Sequence, residues 1–196
     1  MNALTLRKST FGFMMLIPGV ASAHHPMGGE TPDTLWHGLL SGLAHPFIGV
    51  AHLVFIFAAA VLLLTLGKKP LPKMGVFLLA TLAGAAWQLV HWPMTFAHSL
   101  LALSVLAAGL LLTFRQQAAT LVMLLMCVSG LIHGFVYAEA VIGARTGPVA
   151  TYLVGFTLVQ GVMLSAFYHL GLALKEKLPP EVFLRCRRAG GVLLAT

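Results

Sequence analysis

The chain has 196 residues, of which 59% are hydrophobic and only 9% charged, with a net charge of +7. Its apolar residues come in blocks of about twenty, each long enough to cross a bilayer, which excludes an ordinary soluble domain and predicts an all-α, polytopic membrane helix bundle. The basic balance does not mark a nucleic-acid binder, because the Lys and Arg residues lie between apolar blocks, where they set topology and meet lipid headgroups.

Taken in chain order, Arg7 and Lys8, the apolar stretch Phe11 to Val20, and Ala21-Ser22-Ala23 have the layout of a cleaved secretory signal peptide over residues 1–23. His24 is then the expected mature N-terminus, and residues 24–34 an extracytoplasmic segment. A free amine and an imidazole on one residue would let His24 chelate copper or nickel.

The membrane bundle is expected over residues 35–174. Leu35 to Leu66 would be about 48 Å long as one helix, too long for a hydrocarbon core of about 30 Å. Pro46 disfavours helical geometry at His45 but suits the first position of a helix. The sequence therefore predicts a short helix from Leu35 to Ala44, then a first span from Pro46 to Leu66. Four further apolar blocks follow, at Gly75 to Trp92, Ala97 to Phe114, Ala118 to Ile142 and Pro148 to Leu174. About five spans result. With the mature N-terminus outside, Lys68, Lys69, Lys73, Arg115, Lys175, Lys177, Arg185, Arg187 and Arg188 fall in the cytoplasm and only Arg145 outside, as the positive-inside rule requires. Trp36, Trp87 and Trp92 then lie near the outer interface. Residues 175–196 form a basic cytoplasmic tail. The expected location is a bacterial cytoplasmic (inner) membrane. Cys127 and Cys186 lie in different blocks and imply no disulfide framework.

Ionisable side chains inside a span are costly and mark ion, proton or cofactor sites. His45 and His52 stand at the head of the first span, with His133 at a similar depth in the fourth. Glu139 lies nearer the outer surface, on a different ideal-helix face from His133. His91 and His98 bracket the outer turn between spans two and three, His37 lies at the outer interface, and His169 is close to the inner end. Neutral imidazole is a good ligand for nickel, cobalt, copper and zinc, so an outer-half cluster suits capture of a divalent transition metal. For His37, His91 and His98 an interfacial role is the competing reading, and for His169 a structural one. Met123, Met126 and Cys127 are read as packing.

These residues resemble the HupE/UreJ family of hydrogenase and urease accessory membrane proteins. The first-span motif H-P-x-x-G-x-D-H is matched by His45, Pro46, Gly49 and His52, with Ala51 in place of the aspartate. The stretch Ala102 to Leu111 resembles the third-span pattern. Leu131-Ile132-His133-Gly134 with Glu139 resembles the fourth-span H-G-x-x-H-G-x-E region, with Tyr137 where its second histidine stands. His169-Leu170-Gly171 resembles the late histidine motif. The resemblance implies a non-enzymatic nickel or cobalt permease that supplies hydrogenase or urease maturation. Without the aspartate, neutral imidazoles favour borderline metals such as copper or zinc. Two other readings remain open: a redox protein with His52 and His133 as axial haem ligands, and a non-transporting metal sensor or scaffold.

Overall fold

The computed structural model describes residues 31–67 and 69–196. The expected signal peptide, His24 and Lys68 lie outside the described residues. Among those described there are seven α-helices and no strand: α1 Leu35–Ile48, α2 Val50–Leu63, α3 Pro70–Leu89, α4 Ala97–Thr113, α5 Ala119–Ala138, α6 Thr146–Lys177 and α7 Pro180–Leu194. Single 3₁₀ turns, Leu64–Leu66 and Glu139–Val141, extend α2 and α5.

The first helix begins where Thr34 accepts a hydrogen bond from the His37 amide at 3.1 Å, satisfying one of the unpaired donors of its first turn. It does not stop before Pro46, as the sequence predicts. The proline is buried inside α1, and the break falls three residues later at Gly49, where α1 and α2 meet at 72°. Tertiary packing explains the difference. Gly38 and Gly42 bring α1 against the backbone of α6, where a Cβ would collide with the Pro148 and Tyr152 carbonyls. That contact carries the helix past the proline, and the chain bends instead at a residue with weak helix preference. Gly49 is extended (φ −79°, ψ 95°) and joins both helices, its amide donating to the His45 carbonyl and its carbonyl accepting from the Leu53 amide.

Three helix pairs are built on glycine, which lets backbones approach closely in lipid. Besides α1 with α6, α3 lies on α5 through Gly84, Gly130 and Gly134, and α7 lies on α4 where Gly191 meets the Gly109 carbonyl. The apolar helix α2 threads between them. Its Phe55, Ile56, Ala58, Ala59, Ala60, Leu62 and Leu63 are all fully buried. The bent pair follows α6 from Leu35, beside Gly147, to Leu64, beside Gly171. Leu79, Leu103, Leu124, Leu158 and Leu170 point outward, as side chains facing lipid do.

By length and composition α3, α5 with its terminal turn, and α6 can each cross a bilayer, and the bent pair makes a fourth candidate. The remaining expected span, the third in chain order, is α4, which is apolar but only 17 residues long. The expected tail is not irregular chain. Helix α6 continues beyond Leu174 to Lys177, and α7 folds back from Pro180 onto α4.

Candidate functional site

The break at Gly49 delivers two of the expected histidines to one place. His52, on the first turn of α2, and His133, on α5, are 5% and 0% exposed, and their Nδ1 atoms lie 2.8 Å apart. His133 Nε2 lies 2.9 Å from Ser104 Oγ on α4. The Ser104 proton is already committed to the Leu101 carbonyl at 2.6 Å. Proton accounting then fixes the chain of bonds. His133 Nε2–H donates to Ser104, His133 Nδ1 accepts, and His52 Nδ1–H donates to it. His52 Nε2 is left as the nitrogen that carries the ring's lone pair.

His45, near the end of α1, follows the same logic. Its Nδ1 lies 3.0 Å from Tyr152 Oη, and that hydroxyl donates to the Tyr137 carbonyl at 2.6 Å. His45 Nδ1–H therefore donates to Tyr152, and Nε2 carries the lone pair. The His45 and His52 ring centroids are 5.9 Å apart. Tyr137, in the place of the family motif's second histidine, stacks on His52 at 4.0 Å and meets the edge of His45 at 5.0 Å. Gly49 is required here by contact rather than by backbone angle, since a Cβ would run into the His52 ring.

Among the described residues the buried polar side chains are Ser41, His52, Thr81, Ser104, Ser129, His133 and Gln160, with no carboxylate. Ala51 packs against the apolar cluster of Ala97, Leu101, Ile132, Phe135 and Val136. Glu139 does not reach His133. The 3₁₀ turn carries it to His98, with Oε2 and Nε2 3.4 Å apart. His37 pairs with Asp33 at 2.5 Å, and that hydrogen bond holds the Asp33 carboxyl below its usual value of 3.8. His91 is exposed in the turn after α3, with a left-handed φ of 57°. His169 is exposed on α6, its ring edge against Tyr168, toward the other end of that helix from Tyr152. The structure thus gathers His45, His52 and His133, pairs His98 with Glu139, and leaves His37, His91 and His169 elsewhere. No group of three or more His, Cys, Asp or Glu side chains is preassembled as a metal site among the described residues.

Ser104, Tyr152 and Gln160 were not singled out by their residue types. Gln160 is fully buried, and its Oε1 lies 3.1 Å from the Thr81 hydroxyl. It is the one amide side chain in its apolar block, which is a signal the sequence does carry.

Apolar helices, an apolar outer surface and a buried imidazole pair define a multi-pass membrane protein with a hydrogen-bonded histidine pair inside its helix bundle. The family profile described as HupE / UreJ protein matches residues 12–196, and the chain belongs to that family. It is a family of nickel and cobalt transporters rather than enzymes. No curated protein and no solved structure matches the chain.

Proposed function

We propose that this protein is a permease for a divalent transition metal, nickel or cobalt by family, working in the bacterial inner membrane with its mature N-terminus outside and its C-terminus in the cytoplasm. The observation that carries the reading is the buried His52–His133 pair beside His45 at the helix break. A metal-ligating histidine commonly donates its second ring N–H to a fixed acceptor, which sets the ring's orientation and basicity. His52 has that arrangement through His133, and His45 has it through Tyr152. Their Nε2 atoms are the first ligands assigned to the passing ion, with His133 as the orienting partner of His52. Glu139 and His98 supply a weaker, more exposed receiving point, and the buried polar side chains Thr81 and Gln160 continue the path inward. The imidazole-rich set also admits copper or zinc. Delivery to hydrogenase or urease maturation machinery is the corresponding role in the cell.

The haem reading fits the geometry poorly. Iron between His52 and His133 would require both rings to abandon the Nδ1–Nδ1 hydrogen bond and face a porphyrin from opposite sides, where Tyr137 and Phe55 now pack on them. Uptake of nickel, cobalt, copper and zinc, measured by elemental analysis in cells with and without the protein, tests the permease. Accumulation of at least one metal should rise with the protein. No difference for any of the four, with the protein confirmed in the membrane, overturns transport, and metal bound without uptake would instead favour the sensor or scaffold reading.

A further inference from the structure

The end of the bundle away from the His45, His52 and His133 cluster carries two adjoining hollows. One, of about 550 Å³, is lined by Thr65, Arg115, Gln116, Gln117, Lys175 and Arg187 together with Leu64, Pro180, Phe183 and Leu184. The other, of about 410 Å³, is an apolar groove between α2, α4, α6 and α7, whose walls include Phe57, Leu112, Phe167, Leu174 and Leu194. Leu64, Phe183 and Arg187 belong to both, so the polar hollow opens along the groove.

Among the described residues three cations line the first hollow and no carboxylate does; Glu176 and Glu181, the nearest in sequence, are exposed outside its lining. Arg187 is held in place by its hydrogen bonds. Its Nη2 donates to the Phe114 carbonyl at the end of α4 and its Nη1 to Gln117 Oε1, while its Nε is buried with no hydrogen-bond partner among the described residues. A fixed guanidinium beside two flexible cations and amide groups suits an anionic oxygen cluster. The groove that continues from it suits a hydrocarbon chain. A basic pocket between membrane helices next to an apolar channel has the chemistry of an anionic phospholipid, headgroup in one hollow and acyl chain in the other.

We propose that this end of the bundle is a binding site for one anionic phospholipid, its phosphate held by Arg115, Lys175 and Arg187 and an acyl chain lying under α7. The site is independent of the histidine cluster and of what the protein transports. Free phosphate would satisfy the cations but leave the groove unused, which is why the lipid is the occupant assigned.

Native mass spectrometry of the full-length protein in neutral detergent, titrated with dioleoyl phosphatidylglycerol, dioleoyl phosphatidylcholine or inorganic phosphate, tests this. The phosphatidylglycerol should bind more tightly than phosphatidylcholine. The double variant Arg115→Gln/Lys175→Gln should weaken phosphatidylglycerol by about 25-fold, roughly fivefold per cation, and weaken phosphatidylcholine, whose choline offsets its phosphate charge, by clearly less. Lys175→Gln alone, a single change at an exposed position, should cost about fivefold and serves if the double variant does not fold. Gly190→Leu tests the groove, because Gly190 lines it and a Cβ there meets nothing within 4 Å. It should weaken phosphatidylglycerol with every cation retained. Equal binding of the two lipids, unchanged affinity in Lys175→Gln or in Gly190→Leu, or displacement of phosphatidylglycerol by equimolar phosphate would each overturn the proposal.

Discussion

At the scale of single residues, the site depends on where one proton goes. Ser104 gives its hydrogen to a carbonyl in its own helix, and that commitment orients His133 and then His52 across three helices. Gly49 contributes by what it lacks. Gly49→Ala keeps every imidazole but pushes a methyl group into the His52 ring, so bound metal should fall about ten- to hundredfold, the range for disturbed ligand support. His52→Ala should remove it. Metal content of purified protein, by elemental analysis against the unchanged chain, checks both; full retention in both variants would move the site elsewhere. The histidines themselves were legible in the sequence because ionisable groups stand out in apolar blocks. Their supporting residues were not, since a serine or tyrosine in a membrane helix is common and its role appears only when another helix is placed beside it.

At the scale of helices, backbone contact through glycine decides which elements pair. Gly134 sits against the Thr81 carbonyl, whereas Gly75, on the same pair of helices, has open space where a Cβ would go. Gly134→Leu should therefore force α3 from α5 and destabilise the protein by about 1–3 kcal/mol or more. Gly75→Ala should be neutral or stabilising by up to about 1 kcal/mol, because alanine is the better helix former. Thermal unfolding in detergent, followed by circular dichroism, separates the two, and equal effects would contradict the packing. The apolar blocks located α3 to α6 closely. Pro46 misplaced the first break because local preference was outweighed by the α1–α6 contact, which sequence spacing does not display. Helix α7 was missed because three arginines and two glycines divide its apolar residues into runs of at most three, too short to be read as structure until α4 offers them a surface.

At the scale of the whole molecule, the cations of the described chain concentrate at one end. Lys69 and Lys73 flank the start of α3, Arg115 follows α4, and Lys175 to Arg188 close α6 and form α7, opposite the histidine cluster. This arrangement favours a cytoplasmic C-terminus. A fluorescent protein fused after Thr196 should be bright and an alkaline phosphatase fused there inactive; the reverse pattern would invert the proposed orientation. The fold class and the partition of charge were legible from composition and block spacing alone. The convergence of spans one, three, four and five on a single site was not, because it arises from lateral packing between segments far apart in sequence.

The bend between α1 and α2 gives the histidine pair an unusual control. On an unbroken helix the separation of His45 and His52 would be set by the rise per residue and could change only by unwinding. Here the two rings ride on separate rods joined at Gly49, whose ψ of 95° sets the angle between them. The bite of the proposed ligand pair is therefore a torsional variable: rotation about one backbone bond opens or narrows it, and neither helix need lose a single internal hydrogen bond for the spacing of the two rings to change.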